Sequence, residues 1–492
     1  MAITWNPGYD WRKGQVLIRS NRMFLQVLSH ASLLIRHQEH TLLIDPWLVG
    51  SCYWRSWWNY PPVDPKLYRD LAPDAIYLTH IHWDHFHGPS LRRFPRTTRL
   101  VVPYERSTRM RRDLEGMKFT DILELPHGGS LSLADDFTLT SYQFSLWGDS
   151  ALVVEGGGVR ALNANDAKFM GSPLQQIIDR HAPFTFVFRS HSSANDRACY
   201  ESPDETDGPE REDPTGYARS FYSFIEKTKP AYAVPFASNH CHLHQDVFSF
   251  NDRIQTPMEV ERYVASRGGF TRTQLKIMVS GDAWDSENGF HLQRHTYFTE
   301  REGHIRQYRD DQREILQSTY RKEERAVVRI EEVKSFFSKF ARAVPWLIRR
   351  TFKGKPIVFC AQAGKEVFCF AVDLSSQSVT QVAEATLGPS AIRYETSAAM
   401  LKMAMALNMF SQIGISKRVR YRSLRADRRY LIKINSLLAA YEYEVLPVRL
   451  LFRWRTWRCW ARRWREVLLG VRFLYGLRSG RSPHEMEEEF LR

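Results

Sequence analysis

In the stretch LTHIHWDH, residues 78–85, three histidines and an aspartate occupy six positions directly behind an apolar run. In an extended segment, side chains two residues apart point the same way. His80 and His82 can therefore serve one metal ion, while Asp84 and His85 emerge from the following turn toward a second. Structural zinc sites fill their coordination with four protein ligands, whereas His and Asp ligands with open positions are the catalytic kind. The competing reading is a solvated polar loop, and the density of the pattern argues against it. Further ligands must come from the ends of other strands. Asp166 in LNANDAK follows an apolar run with three glycines, and a carboxylate there can bridge two cations. The segment VPFASNHCHLH (234–244) offers His240, His242 and His244 behind another apolar run. His240, nearest the strand end, is the expected sixth ligand, with His242 or His244 as its replacement or as groups that orient substrate. Each of these taken alone is an ordinary polar loop residue.

Short strands separated by turns must position these side chains. FLQVLSHASLLIRHQEHTLLIDPW (24–47) reads as a hairpin with its polar turn at Arg36–His40, and APDAIYLTH (72–80) as a strand entering the histidine cluster. Thr215–Thr228 reads as a helix, and strands mixed with such helices predict a layered α/β domain over 15–305. The acidic, Pro- and Gly-rich segment 200–216 reads as an exposed loop or insertion. A charged helical linker is expected over 306–350. A small α+β domain is expected over 351–448, with a hairpin at 355–382 and a continuous helix at 395–414 that carries four methionines.

On LLIDPW (42–47), the HxHxDH at 80–85, Asp166 and the late His240, the first domain resembles the metallo-β-lactamase superfamily. The resemblance spans roughly residues 20–290. It implies a four-layer αββα sandwich with a dinuclear centre: His80 and His82 on the first metal, Asp84, His85 and His240 on the second, and Asp166 bridging. LSHASLLI (28–35) resembles the lactonase-like and phospholipase-D-like branch. DPWLVG with WWNYPP (57–62) is similar to the CMP-sialic acid hydroxylase-like branch. One departure stands out. The superfamily usually supplies a third histidine to the first metal, yet FTLTSYQFSLWGDSALVVEGG (137–157) contains none. Gln143 occupies about the right place, His191 in FRSHSSAND is another source, and His127 falls too early. A first site with fewer imidazoles suits iron as well as zinc.

Two reactions follow. In the first, a metal-dependent hydrolase uses metal-bound water on an ester, lactone, amide or phosphodiester. Asp84 then orients the nucleophile, and His191, His242 and His244 steady the oxyanion or protonate the leaving group. In the second, a non-haem diiron centre uses O2 as an oxygenase. No Rieske-type cysteine–histidine pattern is seen, so that chemistry needs a reductase partner. A non-catalytic binding protein is the third reading, and the dense metal motif argues against it. SCYWRSWWNY (51–60) either walls an apolar or sugar-like substrate through Trp54, Trp57 and Trp58 or packs as core.

The 492 residues suffice for two or more domains, and 43% hydrophobic against 25% charged residues is a globular composition. The six cysteines form no tight framework, the N-terminal segment carries no apolar signal core, and no stretch suits a membrane span. The expectation is a cytoplasmic protein, peripheral to the membrane at most. The alternation and Met-rich stretch of the small domain resemble sterol-carrier-like modules, which implies a lipid-like ligand. The net charge of +14 is partly local: nine arginines and one acidic residue, Glu466, lie between Arg449 and Arg478. In this basic helical tail Trp457, Trp460, Trp464, Val467, Leu468 and Val471 follow three-and-four spacing. It reads as a docking helix whose arginines stay wet, or as a membrane-surface helix, with nucleic acid a weaker third choice.

Overall fold

The computed structural model describes residues 22–146, 148–192, 194–204, 215–478, 486 and 489–491. Most of the acidic insertion, the first residues of the expected metal domain and much of the chain beyond 478 lie outside the described residues.

The alternating apolar residues after Met23 build three antiparallel strands, Met23–Val27, Leu33–His37 and His40–Ile44. The latter two form the expected hairpin, turning at Gln38, which adopts a left-handed φ of 55°. Ala75–Tyr77, Arg99–Pro103 and Ile122–Leu125 then add in parallel to His40–Ile44. Ala283–Asp285 and Gly289–His291 close the other side of this eight-stranded sheet. A second, seven-stranded sheet faces it. Its antiparallel half is Gly129–Ala134, Phe137–Phe144 and Asp149–Gly156. Its parallel half is Val159–Asn165, Phe186–Ser190, Tyr232–Phe236 and Gln274–Leu275.

Leu25, Ile35, Leu42 and Tyr77 from the first sheet meet Leu139, Leu152, Phe186 and Phe188 from the second in a dry core. Each such side chain contributes about 1.5–3 kcal/mol of burial. The helix Arg109–Gly116 covers the outer face of the first sheet through Leu114. Gly171–His181, Gly216–Thr228 and Pro257–Ser266 cover the second through Leu174, Ile177, Phe221, Ile225 and Val260. This is the αββα sandwich. Parallel strands end at one edge, where open α/β sheets place their ligands. Asp45, the 78–85 loop, Asp166, His191 and the 237–240 turn all follow such strand ends.

Part of the aromatic run forms a strand. Trp57–Asn59 pairs antiparallel with His240–His242 and with Ser51–Cys52 in a small three-stranded sheet.

A third sheet carries the second half of the chain, in the order Tyr200–Glu201, Val419–Arg422, Ile392–Ser397, Ile357–Ala363, Glu366–Asp373, Ser378–Val382. The helices Ile330–Ala343, Ala398–Leu407 and Arg428–Glu442 pack on it through Phe337, Phe340, Leu401, Leu431 and Ile434. Its edge strand, Tyr200–Glu201, comes from the acidic insertion 200–216. The continuous helix expected at 395–414 is three elements. Residues up to Ser397 extend the sheet, Ser397 caps Ala398–Leu407 through its hydroxyl, and Asn408 ends that helix at φ 52°. Ser411–Ser416 forms the next helix. Asn tolerates the left-handed cap that propensity summed along the segment overlooks.

The tail also differs from a single helix. Trp454–Arg462 and Trp464–Arg478 are separate helices that meet at Arg463. No helix among the described residues is long and apolar enough to cross a membrane.

Candidate metal centre

The loop 78–85 is pinned before it delivers ligands. Asp45, buried at the end of His40–Ile44, accepts from the Thr79 backbone amide at 2.8 Å and from the Thr79 hydroxyl at 2.6 Å. It also accepts from His85 Nδ1 at 2.8 Å and from the Asn165 amide at 2.7 Å. The aspartate of LLIDP thus orients His85, so that its Nε2 faces Asp84 at 3.4 Å and Asp166 at 3.3 Å. A carboxylate behind a ligating imidazole fixes its tautomer and raises its basicity.

Three overlapping groups of ligand atoms result, with all atoms of a group within 4.8 Å of one another: His80, His82 and Asp149; His80, His85 and Asp166; His30, Asp84 and His85. His80 Nε2 and His82 Nδ1 converge to 2.9 Å. The five ligands expected from the 78–85 loop and Asp166 are therefore brought together. His30 and Asp149 join them without having been singled out. His30 lies in the turn between Met23–Val27 and Leu33–His37, and its Nε2 is 3.0 Å from Asp84 Oδ2. Tyr53 binds the other Asp84 oxygen through its hydroxyl. Asp149 opens the strand Asp149–Gly156 and stands opposite Phe144, one pair beyond Gln143 and Ser150. It supplies a carboxylate to the group formed with His80 and His82. Gln143 instead donates to Leu125 O and Ser141 Oγ, and His127 Nδ1 accepts from the Gln143 amide. Neither belongs to the three groups.

His240 is buried beside the second position, with its ring 5.7 Å from that of His30 and stacked at 3.6 Å on Trp57. Its Nδ1 is bound to Ser238 O at 3.0 Å and its Nε2 has no hydrogen-bond partner. His30, rather than His240, has its ligand atom within the compact group around Asp84 and His85. His191 follows the strand Phe186–Ser190, fully buried, with neither ring nitrogen hydrogen-bonded. Burial pushes its pKa down to about 3, and His30 adds to the effect. His242 Nδ1 approaches Ser56 O at 3.2 Å. His244 lies farther out, where it caps residues 245–253 and faces Glu323 at 3.6 Å. That places His244 in the contact between the two halves of the chain. Trp58 packs as core with Cys241, Leu243 and Ile305, and Trp57 supports His240. Half-buried Trp54 tilts against Trp83, 4.7 Å away, which sits inside the metal loop.

The second half of the chain reaches this centre. Tyr443, just past the helix Arg428–Glu442, places its hydroxyl 2.9 Å from His82 Nε2. Which of the two donates is set by the tautomer of His82, and a metal on Nδ1 would leave the proton on Nε2, facing the phenol oxygen. Arg418 pins the same junction. It binds Asp246 Oδ2 at 3.0 Å, Glu323 Oε1 at 2.9 Å and Trp54 O at 2.8 Å.

The electrostatics fit a pocket built for cations. Burial holds His80 well below the ordinary imidazole value and lowers His82 as well, which leaves neutral lone pairs. Burial alone would lower His85 too, but the carboxylates of Asp84, Asp45 and Asp166 outweigh it and hold it well above. Burial would raise Asp84, yet His85 and His30 keep it well below the carboxylate range. Asp149 is pushed up to about 7 by burial and by the neighbouring Asp166. With His80 and His82 held neutral and His85 drawn toward its carboxylates, four His with three Asp make an apt donor set for two divalent ions.

A sandwich of this topology with HxHxDH at its strand ends is the metallo-β-lactamase superfamily fold, and the His/Asp groups support metal-dependent enzymatic activity. Residues 24–174 match the family model of the Beta-lactamase superfamily domain. Cytidine monophosphate-N-acetylneuraminic acid hydroxylase of Xenopus laevis is 28% identical over 169 residues, which is 33% of this chain and 28% of that protein. The match thus spans less than a third of the relative's length. Among solved structures, isothiocyanate hydrolase from Delia radicum gut bacteria is 18% identical, with a TM-score of 0.39, over 53% of this chain and 98% of that one. CmlA, a diiron β-hydroxylase from Streptomyces venezuelae, is 17% identical, with a TM-score of 0.35, over 54% and 53%.

Proposed function

We propose that this chain is a non-haem diiron oxygenase that hydroxylates or otherwise oxidises a small molecule. One observation carries the reading: Asp149 turns the first position into a set of two histidines and one carboxylate. Two histidines and a carboxylate with open positions are the ligand set of non-haem iron oxygenases, and the same set holds zinc in some hydrolases, so the identity of the bound metal separates the two readings. The name of the sequence relative, a hydroxylase, agrees with it.

His80, His82 and Asp149 would hold one iron, His30, Asp84 and His85 the other, and Asp166 lies between them. Two irons held there would supply the capacity to activate O2, so that one oxygen atom would enter the substrate and the other would leave as water, with two electrons and two protons from a reductase partner. Asp45 keeps His85 in its binding tautomer, and Tyr443 does the same for His82. Buried His191 and His240 stay neutral beside the second position and exclude bulk water. Trp83 and Trp54 offer a half-buried aromatic wall for a substrate approaching the loop.

Hydrolysis with zinc is the second reading, favoured by the Beta-lactamase superfamily domain match. Elemental analysis of protein purified without added metal separates the two. Two irons per chain, with a ferric charge-transfer band lost on reduction, are expected. Two zinc ions with no visible band would overturn the oxygenase reading. Asp149→His should move the retained metal from iron toward zinc, and unchanged iron content would remove the argument from Asp149.

A further inference from the structure

The tail helices are docked the wrong way round for a soluble protein. Two of their cations face inward: Arg455 pairs with Glu124 and lies 3.9 Å over the Tyr104 ring. Buried Arg463 binds Glu466 at 2.8 Å and Glu105 at 3.3 Å. Cys459 and Leu469 are the buried apolar contacts, Leu469 within the cluster that includes Leu174. The aromatic and aliphatic side chains face outward. Trp454 is 75% exposed, Trp457 52%, Trp464 54%, Val471 59% and Tyr475 76%. Positions 464, 467, 468, 471 and 475 form one stripe at helical spacing, and 454 and 457 another on the preceding helix. Contiguous exposed apolar surface of this kind marks an interaction site.

We propose that this face seats on an anionic phospholipid surface. The charge pattern around it selects that occupant. Arg449, Arg453, Arg458, Arg462 and Arg472 are exposed, and none has a carboxylate partner among the described residues. Glu466, the single acidic residue of the segment, is neutralised by Arg463. Indole and phenol rings prefer the boundary between headgroup and acyl chain, and guanidinium groups meet phosphate with paired hydrogen bonds. An apolar stripe flanked by unpaired arginines is the pattern of a helix lying in that boundary. A second copy of the chain would bring like charges together, and a duplex would leave the aliphatic Val467, Leu468 and Val471 in water.

The test is vesicle flotation of the full chain with phosphatidylcholine alone and with added phosphatidylglycerol. Wild type should float with the anionic vesicles and be released by salt. Trp457→Ser/Trp464→Ser/Val471→Ser should bind at least roughly tenfold more weakly. Arg458→Gln/Arg462→Gln should lose the preference for phosphatidylglycerol. Circular dichroism and bound-metal content, unchanged in both variants, show that the fold persists. Failure of wild type to float, or equal binding by the triple variant, would overturn the proposal. So would a concentration-dependent dimer abolished by the triple variant, or saturable single-stranded DNA binding without flotation.

Discussion

The two metal positions are built by different means. The second, His30, Asp84 and His85, is fully enclosed and held from behind by groups of the sandwich itself. Asp45 and Asn165 surround His85, and Tyr53 and His30 grip Asp84. The first, His80, His82 and Asp149, takes one ligand from a strand in the other sheet and is completed by Tyr443, 361 residues from His82. One position is preorganised by the sandwich, and the other depends on how the second half of the chain is seated. A centre built this way can hold one ion firmly while the access and affinity of its neighbour respond to a distant contact.

The sharpest way to break this contrast is Arg418→Ala. Removing the guanidinium leaves the partly exposed Asp246 and Glu323 facing each other beside the junction and deletes their charged hydrogen bonds, which should cost about 1.5–3 kcal/mol. Thermal or urea unfolding should report that loss, and metal should leave the first position before the second. Equal loss from both would erase the distinction. Next in size is Asp45→Ala, which frees His85 to rotate; metal affinity at the second position should fall about 10–100-fold by competition with a chelator. Tyr443→Phe should weaken the first position alone, by about tenfold at most, and leave the second unchanged.

The smallest effect is acid loosening of the junction. Burial would raise Glu323, but hydrogen bonds from His244 and Arg418 outweigh it and hold it near 2, below its ordinary 4.5. A depressed carboxylate contributes stability above its unfolded value, and that contribution is lost as pH falls through the folded one. Stability should therefore decline between about pH 4.5 and pH 2. Glu323→Gln should flatten the decline, and an unchanged profile would show that Glu323 is not its source.

The parts of this centre legible in the sequence were those packed into one loop. HxHxDH is readable because four ligand-type residues in six positions are hard to explain otherwise, and Asp166 because it closes a strand. Isolated ligands carry no such signal. His30 is one histidine in a turn, brought into a candidate ligand group only by the fold that sets Asp84 beside it. Asp149 follows Gly148 and reads as a turn residue; the antiparallel pairing that sets it opposite Phe144 gives it its place. The strand pair around Gln143 holds no histidine, and the ligand-type side chain it brings to His80 and His82 is a carboxylate. The sandwich was legible because parallel strands leave uninterrupted apolar runs. The helix breaks at Asn408 and Arg463 were not, because each turns on a local backbone choice. The tail's three-and-four spacing was read correctly as a stripe, yet only tertiary contacts decide which side of a helix meets the body. Here ion pairs outcompeted burial of the indoles.

The edge strand Tyr200–Glu201 has a consequence for heredity. Because the third sheet takes its outermost strand from a segment encoded about 220 residues upstream of its neighbour Val419–Arg422, its blueprint is split along the gene. A crossover that carried residues 351–448 into another protein would deliver a sheet with Val419–Arg422 bare and ready to pair with any passing strand. The two halves are thus stitched into one inheritable unit, and their partnership at the metal centre is guarded against being shuffled apart.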